Sequence, residues 1–304
     1  MTRREKLLEQ LRETLLSLMP KAQHRDSRIA SVTMSRANTP QPCSQCIYQP
    51  VLVLVVQGTK QSVIGGTTAN YRAGQTTVVA LDMPGVYEIT EATEASPFLS
   101  IAVQLDRKIL TELLTTIPEL AAPKESSAKA CVKAVMTADA TDEMLEAFLK
   151  LISLEKTPER IPVFAPLLLK ELHYLALSSN QGVCLKSFFS GESHAPRIAR
   201  SVAWLRNHYR EPLTIESLAL RAAMSASSFH KHFKELTTLS PVQFQKRLRL
   251  QEAARLMLSE GKNVEAAAFA VGYKSSSQFS REYKRVFGVA PHGDISRKRA
   301  ALTA

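Results

Sequence analysis

The sequence is short of the residues that most enzyme and metal sites need. Its four cysteines are too few and too scattered for a disulfide framework. None of the seven histidines lies between residues 50 and 105, the β-rich part of the chain, so a metal-binding barrel would lack its usual ligands there. Neither a glycine-rich phosphate loop nor a Ser/His/Asp motif is present. These absences argue against an enzyme, and we expect no cofactor and no metal.

Long hydrophobic runs are also missing, since no apolar stretch approaches the roughly eighteen residues that span a bilayer. Residues 1–20 place leucines along one helical stripe, but Glu5, Glu9 and Arg12 interrupt any signal-peptide core. This pattern predicts an amphipathic helix that ends at Pro20. We therefore expect a cytoplasmic protein with no membrane partner.

Acidic residues are scarce in the last third of the chain. Residues 195–304 carry 19 Lys+Arg and 8 Asp+Glu, whereas residues 1–194 carry 20 of each. The formal charge of +11 therefore belongs to the C-terminal region alone. A solvated basic surface would have this composition, but charge concentrated on one domain is also typical of phosphate binding.

The order of strand-like and helix-like segments along the chain predicts an α+β protein of two domains. Several short strands separated by glycines indicate an antiparallel barrel or sandwich, for which a small cupin-like jelly roll has the right length. The predicted strands are 51–58, 61–66, 76–81, 86–90 and 98–105. Residues 21–46 contain Pro40 and Pro42, which we expect to break any regular element.

Helical patterns follow the strands. Asp106 and Thr141 are predicted N-caps, and the helix at 161–179 is apolar nearly all round, so it should pack on the barrel or form a subunit interface. Small and polar residues at 181–195 indicate a linker. The predicted domains are thus 1–180, a sensing or dimerisation domain with flanking helices, and 196–295, an all-α domain.

One pattern occurs twice in the C-terminal domain. Phe229 and Phe233 recur fifty positions later as Phe279 and Tyr283, and small residues four apart precede each pair: Ala219 and Ala223, then Ala268 and Gly272. A unit of helix, tight turn and helix is typical of a helix-turn-helix, in which the small residues let the two helices cross. We predict two such motifs, at about 214–236 and 263–286, joined by a long central helix at 241–258.

The second helix of each motif should bury its aromatic residues and direct its polar residues outward. Arg and Lys can donate to guanine, Gln can pair with adenine, and hydroxyls at a helix start suit phosphate. The predicted DNA-binding residues are Ser225, Ser227, His230, Lys231, Lys234, Ser275, Ser276, Ser277, Gln278, Arg281 and Lys284. The copies differ in these residues and by one residue in turn length, which predicts an asymmetric operator.

The second copy closely resembles the signature of AraC/XylS-family transcription regulators. The likeness lies in Ala268-x-x-x-Gly272-Tyr273-x-Ser275, Phe279-Ser280-Arg281-x-Tyr283-Lys284 and Phe287-Gly288-x-x-Pro291, with Met224-Ser225, Phe229, Phe233-Lys234 and Ser240-Pro241 as the first copy. The resemblance implies base-facing roles for Ser227, His230, Lys231, Ser277, Gln278 and Arg281. The chain departs from the family at Ala223, where glycine is common.

The β-rich segment resembles the cupin-like N-terminal sensor of one AraC-type subfamily, through CIYQPVLVLVVQGTK and Asp82-Met83-Pro84. The resemblance implies promoter DNA as a partner, an unknown small-molecule effector, contact with RNA polymerase, and a homodimer. Two alternatives remain open, a cupin-type enzyme and a non-DNA adaptor with a basic helical domain. Cys43 and Cys46 are a candidate thiol sensor, in which one thiolate is attacked and the other resolves; half of a zinc site and ordinary packing are the alternatives.

Overall fold

The computed structural model describes residues 1–121, 134–189 and 194–303, except for the side chains of 42, 43, 121 and 300–303. The chain forms two compact units, one from Met1–Ser44 and Tyr48–Pro196 and one from Gln45–Ile47 and Arg197–Ala304. The predicted linker, 181–195, ends beside this division. Residues 190–193 of that linker lie outside the described residues.

Up to residue 189 the chain forms one helix, nine consecutive strands and then mainly helices among the described residues. In chain order they are α1 (Arg3–Leu18), β1 (Gln23–Asp26), β2 (Val32–Ala37), β3 (Gln41–Tyr48), β4 (Val51–Gln57), β5 (Thr59–Ile64), β6 (Thr67–Arg72), β7 (Gln75–Val79), β8 (Met83–Glu91), β9 (Phe98–Gln104), α2 (Arg107–Thr116), α3 (Pro118–Ala121), β10 (Val135–Asp139), α4 (Asp142–Ser153), α5 (Ile161–Ser178) and α6 (Gly182–Phe189). Two short 3₁₀ turns, Leu154–Lys156 and Pro158–Arg160, lie between α4 and α5.

The strands form two antiparallel sheets. The larger sheet has the order β1-β2-β9-β4-β7-β10, and the smaller has β3-β8-β5-β6. Register pairs such as Met34 with Ile101 fix the larger sheet, and Met34 and Ile101 are both fully buried. Because α1 packs against both α4 and β4, strand β4 is buried along nearly its whole length rather than on one face. Two antiparallel sheets with flanking helices confirm the predicted α+β class.

Residues 21–46 do form strands, so the expectation that Pro40 and Pro42 break all regular structure is wrong. Pro42 lies within β3, which is an edge strand of the smaller sheet. A proline is tolerated there because an edge strand has amides that need no partner in the sheet. Strands β6 and β10 and helix α6 are further elements that the sequence interpretation did not place. Helix α6 falls within the predicted linker, where Cys184, Leu185 and Phe188 are buried on one side.

Helix α5, which the sequence predicts to pack on the barrel or to form a subunit interface, is only partly buried. Leu172, Ala176 and Leu177 lie in the core, whereas Val163 and Leu167 are 62% and 61% exposed. Within the described residues, Pro158–Ser178 is also long and apolar enough to cross a membrane by length and composition alone. Its longest uninterrupted apolar stretch is residues 161–169, because Lys170 and Glu171 follow, so the prediction that no apolar run approaches eighteen residues stands.

Arg197–Ala304 is helical. Its elements are α7 (Ala195–Asn207), α8 (Ile215–Arg221), α9 (Ala226–Thr237), α10 (Pro241–Ser259), α11 (Val264–Ala270), α12 (Ser276–Phe287) and α13 (Pro291–Thr303). Helix α10 begins with a capping box in which Ser240 and Gln243 exchange hydrogen bonds, and Pro241 occupies the first turn. Helix α10 packs on α9, α11, α12 and α13, so both second helices contact the same central helix.

Candidate nucleic-acid interface

Two helix pairs, α8–α9 and α11–α12, form the predicted motifs, and the second helix of each pair begins at a serine cap. Ser225 Oγ accepts from the amide of Ser228 at 3.3 Å, and Ser275 Oγ accepts from the amide of Gln278 at 3.4 Å. These bonds satisfy amides that would otherwise lack a partner in the first turn. The turns have four residues in the first motif (222–225) and five in the second (271–275), as the sequence predicted.

Aromatic side chains hold both second helices onto the domain. Phe229, Phe233, Phe279 and Tyr283 are all fully buried. Ring centroids within each pair lie 5.5 Å apart, and Phe233 meets Phe244 of α10 edge-on, also at 5.5 Å. Burying each ring stabilises the fold by about 1.5–3 kcal/mol. The inward roles assigned to these four residues are therefore confirmed.

The small residues divide into two kinds. Ala219 and Ala268 are buried where the paired helices cross, as predicted. Ala223 and Gly272 lie in the turns and not at the crossings, which corrects their assignment. Both have positive φ, 51° at Ala223 and 91° at Gly272, and a turn of this kind normally requires glycine. Ala223 can hold this φ because it lies near the left-handed helical region and the residue is exposed.

Nearly all of the predicted DNA-binding residues are exposed on α9, α12 or their caps. The exposed set is Ser225, Ser227, His230, Lys231, Lys234, Ser275, Ser277, Gln278, Arg281 and Lys284, and Ser276 is half-buried. Because the aromatic residues occupy the opposite face, each motif presents its donors on one continuous side of a helix. A DNA contact by any of these residues stays a prediction.

Glu282 is a functional candidate that the sequence reasoning missed. It lies on α12 but is buried, and it accepts hydrogen bonds from Lys246 Nζ at 2.8 Å, Tyr273 Oη at 3.0 Å and Gln278 Nε2 at 3.3 Å. Burial alone would raise the pKa of Glu282, but these three donors and the Lys246 charge lower it overall. The carboxylate therefore orients the Gln278 amide, with its NH₂ end toward Glu282.

A cleft on α12 follows from this arrangement. It measures about 400 Å³ and is lined by Gln278, Arg281, Glu282 and Arg285. Two guanidinium groups beside an amide give donors for phosphate or guanine, and the carboxylate can accept from an amino group on a base. These four residues are spaced by three or four positions along the helix, so helical periodicity could have indicated that they share one face. A glutamate in a basic helix, however, is normally interpreted as a solvent-exposed charge.

The thiol pair is only partly described. Cys46 on β3 is partly buried, whereas the side chain of Cys43 lies outside the described residues. Cys184 is fully buried on α6, and burial raises the pKa of its thiol to about 12, so it is unreactive. Among the described residues no group of three or more Cys, His, Asp or Glu could hold a metal ion.

Comparison with known families separates the chain into two matched regions. Residues 28–184, more than half of the chain, match the AraC-type transcriptional regulator N-terminus. The chain belongs to this family. Residues 218–294 of this AraC-type regulator match a helix-turn-helix domain, a range that begins within α8 and includes α9, α11 and α12. The resemblance drawn from the motifs is thereby confirmed.

Characterised relatives match the AraC-type chain over about a third of its length. The transcriptional activator RhaS of Escherichia fergusonii is 34% identical over 100 residues, 33% of this chain and 36% of RhaS. The transcriptional regulator ArgR of Pseudomonas aeruginosa is 28% identical over 109 residues, 36% of this chain and 33% of ArgR. The chain therefore matches only about a third of these relatives' own length.

Solved structures show the same overall fold. Apo ToxT from Vibrio cholerae superimposes with a TM-score of 0.57 over 89% of this chain and 98% of ToxT, at 9% identity. ToxT bound to an unsaturated fatty acid gives 0.52 over 89% and 96%, at 10% identity. At such low identity the likeness concerns the fold alone, an N-terminal β domain followed by a helical DNA-binding domain.

Proposed function

We propose that this AraC-type regulator binds one asymmetric promoter site with both helix-turn-helix motifs and changes transcription in response to a signal at its N-terminal domain. The observation that carries the proposal is the pair of donor-rich helices, α9 and α12, attached to one central helix. Each has the size and polarity to enter a major groove. Their different outward residues favour two different half-sites, about one DNA turn or roughly 34 Å apart.

The roles follow the chemistry of each side chain. Lys231, Gln278 and Arg281 read base edges, together with His230, Ser227 and Ser277. Lys234, Lys284 and the serines Ser225, Ser275 and Ser276 contact phosphates. Each phosphate-contacting cation should steepen the dependence of log K on log salt by about one unit.

A mobility-shift titration of the full-length protein tests the proposal. A random duplex library, selected through several rounds, should converge on two dissimilar half-sites that are separated by about ten base pairs. Genomic fragments bound by the protein would then identify the regulated genes. Failure to bind any duplex at low salt would contradict the proposal and favour an adaptor or an enzyme.

The signal is a small molecule that enters the N-terminal domain or an electrophile that modifies Cys43 or Cys46. The ToxT structure with a bound fatty acid supports a small ligand in this fold class. A mild thiol electrophile should change DNA affinity in the wild type and not in Cys43→Ser/Cys46→Ser. An equal response in both proteins would exclude Cys43 and Cys46 as the sensor.

A homodimer through α5 is a further part of the proposal. Val163, Phe164, Leu167 and Tyr174 are 40–62% exposed on this helix, and solvent-exposed apolar side chains in one stretch mark an interaction site. Phe164→Ser/Leu167→Ser should shift the sedimentation coefficient from dimer to monomer. A wild type that sediments as a monomer at all concentrations would contradict the dimer.

RNA polymerase is the expected partner of an activator, and the cytoplasm is the expected location because the DNA target is there. In vitro transcription from a selected promoter would distinguish activation from repression. Activation without any crosslink between the regulator and polymerase would argue against direct contact.

A further inference from the structure

The central helix α10 directs two polar side chains onto the segment that leads into the first motif. Gln245 Nε2 donates to the carbonyl oxygens of Tyr209 at 3.0 Å and Glu211 at 2.7 Å. One turn later on the same face, Arg249 Nε donates to Tyr209 O at 2.6 Å. Arg249 Nη2 donates to Arg210 O at 3.0 Å and to Glu211 O at 3.1 Å. All three carbonyls lie in the connection between α7 and α8.

The same guanidinium reaches the second motif. Arg249 Nη1 donates at 3.1 Å to the carbonyl of Gly272, in the turn between α11 and α12. A Cβ atom added at Gly272 would lie 2.8 Å from Arg210 O and 3.3 Å from Arg249 Cζ. The turn of the second motif therefore lies directly against the segment that enters the first.

Only an arginine can join these groups. The guanidinium carries five N–H donors in one rigid plane, whereas a lysine ammonium is a single point on a flexible stem. Four carbonyl oxygens from two separate segments surround this plane, and Arg249 itself is half-buried. The hydrogen bonds fix the orientation of the two segments as well as the distance between them, because each N–H of the planar guanidinium points in a fixed direction.

The two segments that Arg249 joins each lie just before a functional helix. The cap of α8, Thr214, follows Glu211 by three residues, and the cap of α12, Ser275, follows Gly272 by three. A shift of either segment would therefore move one motif relative to the other. On DNA, a change of one base pair moves a half-site by about 3.4 Å and rotates it by about 34°.

We propose that Arg249, assisted by Gln245, is a positioning residue that sets the spacing between the two half-sites this protein accepts. The proposal rests on the proposed function, since it needs both motifs to bind one duplex. It assigns Arg249 no contact with DNA. Arg249 instead fixes the position of one helix-turn-helix motif relative to the other. Once the first motif is bound, this fixed geometry raises the effective concentration of the second motif at its half-site.

The test uses the full-length protein and the duplex that the wild type selects from a random library. Four further probes carry one base pair more or less between the half-sites, or have one half-site scrambled. Arg249→Met removes all four hydrogen bonds and keeps an apolar stem. Arg255→Met is the matched control, because it removes a 53% exposed arginine of the same helix whose partners, Glu252 and Glu260, are near it in sequence.

For Arg249→Met we expect affinity for the selected duplex to fall about tenfold or more, as avidity is lost. Affinity for each single half-site should stay within about twofold of the wild type. The preference for the selected spacing over the altered spacings should shrink toward one. Arg255→Met should behave as the wild type on all five probes, apart from a uniform change from the lost charge.

Three outcomes would overturn the proposal. The first is an Arg249→Met variant that keeps the full spacing preference. The second is a variant that loses single half-site and two-half-site binding equally, which would make Arg249 a structural residue of one motif. The third is a wild type that binds no duplex. In that case the proposed function itself fails, and the positioning role of Arg249, which depends on it, fails as well. Should Arg249→Met not fold by circular dichroism, Arg249→Lys and Gln245→Met give the same comparison with milder changes.

Discussion

The two helix-turn-helix motifs differ most where α9 carries His232 and α12 carries Glu282, fifty positions apart. His232 is partly exposed and pairs with Glu235 of its own helix at 3.0 Å. Glu282 is buried and contacts α10 through Lys246. The first motif is held on α10 by packed rings, Phe233 on Phe244, whereas the second adds a polar network to its apolar core. The two motifs therefore share one helix-turn-helix structure but contact α10 differently, the first through aromatic packing and the second through aromatic packing and polar contacts.

The turns show the same contrast, and a substitution there should have the largest effect. Gly272→Ala places a Cβ 2.8 Å from a backbone oxygen at a φ of 91°. We expect it to lower the free energy of unfolding by about 2–4 kcal/mol. The reverse change in the first motif, Ala223→Gly, should alter it by less than about 1 kcal/mol. Urea denaturation of both variants measures the difference, and equal effects would show that the turns are equivalent.

The outward residues should differ in which half-site they read. Arg281→Ala should weaken binding to the selected duplex by about 1–3 kcal/mol and relax specificity at one base pair of one half-site. Lys231→Ala should relax a position in the other half-site. Titration of duplexes with single base changes measures both effects. Equal weakening on all sequences would mean that the side chain contacts phosphate and reads no base.

We expect the buried carboxylate of Glu282 to make the stability of the second motif depend on pH. Because the folded state lowers the pKa of Glu282, its stabilising contribution is complete above the unfolded value, about 4.3, and is lost as the pH falls through the lower folded value. Glu282→Gln should cost about 1–2 kcal/mol at pH 7 and less at pH 4.

The matched control for that prediction is Glu235→Gln in the first motif. Glu235 is 45% exposed in its pair with His232, so its loss should cost less than about 0.5 kcal/mol. Denaturant titrations at pH 7 and pH 4 compare the two variants. A Glu282→Gln cost that does not shrink at acid pH would show that packing, and not charge, holds this side chain.

The smallest prediction concerns what the motifs share. Ser225→Ala and Ser275→Ala each remove a cap from the second helix of a motif. Each should lower the free energy of unfolding by about 1 kcal/mol, and the two values should agree. Thermal unfolding of the two single variants is sufficient. A cap that costs nothing in one motif would show that water already satisfies those amides there.

Short-range sequence patterns alone were sufficient to predict the helices of the two motifs and most strands of the N-terminal domain. The fifty-residue repeat, the serine caps and the positions of Phe229, Phe233, Phe279 and Tyr283 follow from helical periodicity and capping chemistry, which act over a few residues. The strands at 51–105 other than β6 also followed, because glycine turns and β-branched runs are local signals. The outward side of α9 and α12 is then fixed by the buried side.

Tertiary structure decided the rest, because it depends on residues far apart in sequence. Strand β3 accepts Pro42 only because it is an edge strand, and α5 is exposed over its first half although its composition indicates burial. The role of Glu282 depends on Lys246, thirty-six positions away, and Arg249 joins carbonyls from residues 209 and 272. No local pattern marks such groups, since a charged residue on a helix looks solvated until its partners arrive from elsewhere in the chain.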